Sequence, residues 1–262
     1  MRQRADILGY LVDRVSFPGV LARMEEFIAS GTFHQVVVGN IYCVIHARQD
    51  REFLEIANSA DLTVADGMSL VWASRALGEP IPERSPGPDI LEAFTELAAQ
   101  KGYTFYFVGG GPGGSERVAE NLLRRYPDLR ILGTHSPELG PIPEEENDLI
   151  VEKVSAASPD VLWVGLGSPR QEKWIWRNRD RLNTRVALGV GSAFDYQMGR
   201  QQRAPLWMRE HGLEWLHRPT QDPSVLWRKR YDRYFPRFVF PVMLEAARRR
   251  SARVLGAGGR AS

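Results

Sequence analysis

The sequence is poor in the features that mark several common function classes. It holds one cysteine, Cys43, in 262 residues, so no internal disulfide can form and a reducing compartment is expected. It has no Asp-x-Asp pair and no Cys/His cluster at metal-ligand spacing. No stretch approaches the ~18 uninterrupted apolar residues that a membrane span needs. The longest late apolar run, FVFPVML, is broken by Pro241. The opening MRQRADILGYLVDRV lacks the apolar core of a signal peptide. Internal repeats and long low-complexity linkers are also missing. Disulfide scaffolds, zinc modules and membrane-spanning proteins are therefore set aside.

What remains is a chain with 43% hydrophobic and 25% charged residues, the balance of a soluble globular protein. The net charge of +2 hides an asymmetry. Residues 200–262 carry 14 Lys/Arg against 5 Asp/Glu, whereas residues 1–199 carry 20 against 27. An acidic-to-neutral body with a basic tail calls for an anionic partner: a membrane surface, a nucleic acid or a phosphorylated substrate.

Short apolar runs alternate with helix-length amphipathic stretches. The runs are QVVVG (35–39), LTVA (62–65), YTFYFVG (103–109), LRILG (129–133), VLWVGLG (161–167) and RVALGVG (185–191). Several are apolar at every position, as strands buried on both faces of a parallel sheet require. Helices are expected near 41–59, 68–77, 89–101, 114–126, 144–157 and 170–182. This is the pattern of an α/β doubly wound, mostly parallel Rossmann-like sheet. It stops after Gly191. The expected division is a nucleotide-binding catalytic domain over 1–199 and a basic helical C-terminal appendage over 200–262.

In such sheets ligands bind where strands end and helices begin. Here those ends read GN (39–40), DG (66–67), GGGPGG (109–114), GTH (133–135), GSPRQE (167–172) and GSAFD (191–195). Several glycine turns on one rim let backbone N–H groups approach an anionic ligand. Asp66 has two readings: a cap for the helix that follows, or a carboxylate poised for proton transfer. Gly109-x-Gly111-x-x-Gly114 matches the dinucleotide fingerprint, but the strand that follows ends in Gly133-Thr134-His135 without the required acid. Gln171 is a neutral donor and acceptor suited to a sugar or base. Arg84 lies in the Pro/Gly loop ERSPGPD, whose Asp89 reads as an N-cap, and faces either phosphate or solvent.

Taken together, ADGMSLVWASRALG, ERSPGPDI, FVGGGPG, PDVLWVGLGSPRQEKWI and GVGSAFDYQMGRQQRAPLWMREHGLEWLHR resemble the WecG/TagA/CpsF bacterial glycosyltransferases, from about Val36 to about Tyr231. The resemblance implies transfer of a hexose from a UDP-sugar to a polyprenyl-diphosphate-linked sugar, with inversion and without a metal or other cofactor, in cell-surface polysaccharide synthesis. The donor is N-acetylmannosamine, its uronic acid or glucose. The resemblance makes Asp66 the general base and Arg84 the arginine on the diphosphate. Asn40, Gln171 and Asp195 become contacts to sugar and nucleotide, with Gly109 and Gly111 on the same rim. Arg218 and Arg228 of the appendage would close over the diphosphate.

Two positions depart from the family pattern: Val38 stands where a threonine is common, and Val225 where a third appendage arginine is common. The expected location is the cytoplasmic face of the cell membrane, held by an anionic lipid surface, without nucleic acid; a homo-oligomer is left open. The basic, aromatic tail reads either as a docking element or as a helix packed on the body with a solvated basic face. On the docking reading, removing 232–262 is expected to leave a folded core. The rival functions are a non-catalytic nucleotide-sugar-binding homologue, an NAD-dependent oxidoreductase and a nucleic-acid binder.

Overall fold

A computed structural model describes residues 2–210, 213, 214, 217 and 232–258. Six strands form one all-parallel sheet in the order β4-β3-β8-β7-β5-β6. They are β3 (His34–Gly39), β4 (Leu62–Ala65), β5 (Thr104–Gly109), β6 (Arg130–His135), β7 (Val161–Gly165) and β8 (Val186–Gly189). All six expected runs are strands. Between them lie α2 (Ile41–Ala47), α3 (Arg51–Ser59), α4 (Met68–Ala76), α5 (Gly87–Lys101), α6 (Gly114–Arg125), α7 (Glu144–Ala157) and α8 (Arg170–Asn178). After β8 come α9 (Ala193–Gln197), α10 (Leu206–Glu210) and a long helix, α11 (Asp232–Gly258).

The uniformly apolar strands are explained by burial on both faces. Val36, Val38, Phe105, Phe107, Trp163 and Leu188 point into a core shared with α5, α6 and α9. Their neighbours point the other way: Val37 packs toward α2, α3 and α4, and Tyr106, Leu162 and Ala187 pack toward α7 and α8. The chain thus leaves β3 and β7 for one face of the sheet and leaves β8, which lies between them, for the other. Diverging helices open a crevice at the carboxyl ends of these strands, and this is where open α/β sheets place ligands.

Two expectations change, and one region is added. The helix expected over 41–59 is two helices, because Asp50 caps α3 by accepting from the Phe53 N–H at 3.0 Å. Asp89 is not an N-cap: α5 begins at Gly87 after Pro86, and Asp89 lies in its first turn. The N-terminal region, which shows no clear pattern in the sequence, forms a hairpin, β1 (Arg4–Ile7) and β2 (Tyr10–Asp13), followed by α1 (Phe17–Ser30). The hairpin turns through Leu8 and Gly9 at φ 58° and 90°. A two-residue turn of this sort normally announces itself with Asn-Gly or Asp-Gly, and a leucine hides it.

The C-terminal helix is not a free tail. Phe238, Val242 and Ala246 are buried in the core shared by α2, α4 and the hairpin. Arg249 donates to Glu79 at 3.1 Å and to the Asp6 carbonyl at 3.3 Å. Deleting α11 would expose this apolar seam on α2 and α4, so the expectation of an undisturbed core after removal of 232–262 does not fit the packing.

Candidate active site at the carboxyl edge of the sheet

The register brings Gly39 opposite Ala65, so the ends of β3 and β4 deliver Asn40 and Asp66 side by side. Asp66 is not the cap of α4, whose N-cap is Gly67 without a side-chain bond. Its Oδ1 accepts from the Gly87 N–H at 3.1 Å, and its Oδ2 accepts from Asn40 Nδ2 at 3.4 Å. Gly87 is the first residue of α5, so Asp66 rests against the positive end of a fifteen-residue helix. The Asp66 N–H donates to the Gly39 carbonyl at 2.8 Å, carrying the sheet ladder one residue further. A carboxylate bonded at both oxygens, on a backbone that is itself fixed at the strand end, has a defined direction.

Asn40 explains how this direction is set. Its Oδ1 caps α2 by accepting from the Tyr42 and Cys43 N–H groups at 3.0 and 3.3 Å. Once the oxygen is committed to the helix, the amide nitrogen must point at Asp66. Val38, two residues earlier, is buried in the apolar core.

Arg84 follows from the loop between α4 and α5, which is stitched to the same strand end by a Ser85 N–H to Ala65 carbonyl bond of 2.6 Å. Its guanidinium donates to Glu214 Oε2 at 3.1 Å and to the Arg209 carbonyl at 2.6 Å. Glu214 Oε1 accepts from Arg203 Nε at 2.9 Å, and Arg203 also binds Asp89 at 2.8 Å. A carboxylate thus bridges two guanidinium groups. Neither Arg203 nor Glu214 stood out in the sequence, because Asp89 and Arg84, which they bind, are more than a hundred residues away and no spacing rule links them.

On the other side of the crevice the glycines have separate duties. Gly109 sits at φ 121°, and a Cβ there would come within 2.5 Å of the Gly165 carbonyl carbon; its role is the close approach of β5 and β7. Gly111, at φ 69°, turns the chain toward α6. Gln171 is 3% exposed and sits beneath the β7–α8 turn. Its Oε1 accepts from the Gly167 N–H at 3.1 Å and its Nε2 donates to Glu172 Oε1 at 2.9 Å. Both ends of the amide are occupied within the protein, so Gln171 shapes the turn from below instead of presenting a free amide. Asp195 is half-buried on α9; burial raises its pKa, with Arg200 opposing. Arg218 and Arg228, expected over the diphosphate, lie outside the described residues.

The comparisons with known proteins bear on this edge. Residues 5–252 match the model of the Glycosyl transferase WecG/TagA/CpsF family. The chain belongs to this family. It is a glycosyltransferase, and the family match spans the hairpin, the sheet and most of the C-terminal helix. The chain is 28% identical over 221 residues to N-acetylglucosaminyldiphosphoundecaprenol N-acetyl-beta-D-mannosaminyltransferase of Staphylococcus aureus strain MRSA252, covering 84% of this chain and 85% of the relative. The proteins of the same name from strains MW2 and NCTC 8325 match to the same extent.

Proposed function

We propose that this family member transfers N-acetylmannosamine from UDP to a sugar linked through a diphosphate to a polyprenyl lipid, with inversion, in the synthesis of a cell-surface polymer. The observation that carries the reading is Asp66, oriented by Asn40 and the first N–H of α5, at the strand end to which the loop carrying Arg84 is tied. Asp66 takes the proton from an acceptor hydroxyl as its oxygen forms the new bond to the anomeric carbon. The bond from that carbon to the diphosphate oxygen breaks on the opposite face, and UDP leaves with the electron pair. Arg84 and Arg203, now neutralised by Glu214, are suited to take up the charge that develops on the diphosphate, because a guanidinium fork matches phosphate oxygens. The relatives' printed activity supports this donor and acceptor over the uronic acid and glucose alternatives.

The test is a panel of UDP-sugars offered with membrane lipid extract, with products read by mass spectrometry. A product heavier than the lipid-linked acceptor by one N-acetylhexosamine unit, formed from UDP-N-acetylmannosamine, is expected, and EDTA should leave its rate unchanged. UDP binding without transfer across the whole panel would favour the non-catalytic homologue. Chelation that stops transfer, with recovery on adding magnesium or manganese, would reject the metal-independent mechanism.

The lipid-linked acceptor places the reaction at a membrane surface, and α11 supports docking there. While Phe238, Val242 and Ala246 face the body, Phe235, Phe240, Met243 and Leu244 are 50%, 72%, 66% and 45% exposed. Arg237, Arg248 and Arg250 are exposed on the same helix. Apolar groups at headgroup depth beside arginines suit an anionic interface. Among the described residues no helix is long and apolar enough to cross a membrane. Reversing Arg237, Arg248 and Arg250 to Glu leaves the buried seam intact. At ~1 kcal/mol per basic group near an anionic surface, binding to phosphatidylglycerol vesicles should fall by about 100-fold or more at low salt. Co-sedimentation indistinguishable from the unmodified chain would reject docking through α11.

A further inference from the structure

Behind the β7–α8 turn lies a glutamate that the transfer mechanism leaves unused. Glu172 is fully buried. Its Oε1 accepts from Gln171 Nε2 at 2.9 Å, and Gln171 Oε1 in turn accepts from the Gly167 N–H at 3.1 Å. The chain of bonds therefore runs from a buried carboxyl, through a buried amide, to the backbone of the glycine turn at the strand edge. An amide has one acceptor end and one donor end: the Gly167 N–H takes the oxygen, and the Glu172 carboxyl holds the nitrogen opposite it. The fit is tight: a Cβ on Gly189 would lie 2.5 Å from the Gln171 side chain, so β8 leaves the amide no second position.

We propose that Glu172 is a positioning residue for the donor-binding turn, holding Gln171, and through its bond to the Gly167 N–H the backbone of the turn, in the conformation that receives the diphosphate of a nucleotide-sugar. The inference rests on the nucleotide-sugar reading of this edge given above.

The surroundings say in which form Glu172 does this. Gln35 from β3 donates through Nε2 to the Glu172 backbone carbonyl at 3.1 Å. Gln35 Oε1 and the Tyr10 hydroxyl are buried without hydrogen-bond partners, and the Ser168 hydroxyl reaches the Glu172 carboxyl. Burial away from water disfavours a charged carboxylate here and favours the carboxylic acid. The titratable groups facing Glu172 are Tyr10 from β2 and Cys43 from α2. Burial raises both, holding Tyr10 neutral and pushing the Cys43 thiol up to about 12, so no cation on these elements stabilises a charge on Glu172. Lys173, next in sequence, is turned outward to Asp50 and Glu52. Burial pushes the Glu172 carboxyl up to about 7, with the bond from Gln171 opposing.

Two consequences follow from ionisation at that point. The unfolded chain gives up this proton near the ordinary glutamate value, well below the folded chain. The associated stability is therefore complete below about pH 4.5, declines as pH rises and is gone once pH passes above about 7. Above that point a negative charge also sits directly behind a turn meant to receive a diphosphate. Donor binding should weaken by roughly fivefold between pH 6 and pH 8.

The experiment uses the full chain, its Glu172→Gln variant and UDP-N-acetylmannosamine, whose diphosphate is a diester of constant charge over this range. Calorimetry gives donor affinity from pH 5.5 to 8.5, and ¹⁵N NMR follows the Gln171 side-chain amide and the Gly167 backbone amide without ligand. In the unmodified chain both resonances should titrate together, and donor affinity should fall with the same midpoint. In Glu172→Gln, which keeps the shape, the resonances and the affinity should be independent of pH. A Glu172→Gln variant that keeps the original pH profile overturns the inference, as do resonances that do not move in the unmodified chain. If Glu172→Gln does not fold, Gln171→Glu and the unmodified chain still decide it: the variant should bind at least tenfold more weakly above pH 7, and equal binding overturns the inference. Failure of the unmodified chain to bind any UDP-sugar, with the two resonances still titrating, would instead reject the nucleotide-sugar reading and leave only a structural role for Glu172.

Discussion

Replacing Asp66 by Asn is expected to lower turnover by about 10²–10⁴-fold while leaving UDP binding almost unchanged. The substitution is near-isosteric. The amide oxygen of the Asp66→Asn variant still accepts from the Gly87 N–H while its nitrogen loses the long bond from Asn40, so the joint between β4, α4 and α5 should hold with a loss of about 1 kcal/mol. What disappears is the ability to accept a proton from the acceptor hydroxyl. A second variant separates basicity from position. Asn40→Ala removes the amide that aims Asp66 and the acceptor that caps α2, so it should reduce turnover less steeply and cost about 1 kcal/mol of stability through the lost cap. Transfer rates from single-turnover assays, with UDP affinity from calorimetry, check both. Near-full turnover in a folded Asp66→Asn variant would remove Asp66 from the role of base.

Arg84→Ala should lower turnover by about 10²–10³-fold, the loss that follows removal of one preorganised group at developing charge. Arg84→Lys should recover only part of it, because an ammonium keeps the charge and loses the fork. The competing explanation is that Arg84 is a strut, tying the loop before α5 to Glu214 and to the Arg209 carbonyl. Glu214→Ala distinguishes the two. If Arg84 is a strut, cutting its partner should reduce activity as severely as cutting Arg84 itself. If Arg84 meets the diphosphate, Glu214→Ala frees the guanidinium and should bind UDP at least as tightly as the unmodified chain. Calorimetric UDP titrations of the three variants, alongside thermal melts, give the answer.

Much of this organisation is legible in residue order alone. Uniformly apolar runs such as VLWV and FYFV have no solvent-facing partner positions, so they require helices on both faces of a parallel sheet. The helices that follow them appear where periodicity and caps agree. The acidic start PEEEND opens α7 at Glu144, as the helix dipole favours. Asp66 could be placed at a strand end, but the residue it binds could not: Gly87 is twenty-one residues away across a helix and a loop. The N-terminal hairpin escaped because its strands are four residues each and its turn uses a leucine at positive φ. The C-terminal helix was ambiguous because prolines, arginines and aromatics fit either a docking surface or a packed helix. In the fold it is packed along one side, through Phe238, Val242 and Ala246, and it exposes apolar groups along the other.

By itself, then, the sequence determined the class of fold, the strands whose ends carry the chemistry and the resemblance that the family match bears out. These are local or periodic properties, written in neighbouring residues. Tertiary structure decided everything that depends on contact between distant segments. It set Asn40 between Asp66 and the start of α2, and turned Gln171 inward beneath the turn. It also set Glu214 between Arg84 and Arg203, and buried Glu172 where no cation compensates it. The physical reason is common to all four. A polar side chain has several ways to satisfy its hydrogen bonds, and only the packed fold shows which partners remain within reach and which are shielded from water.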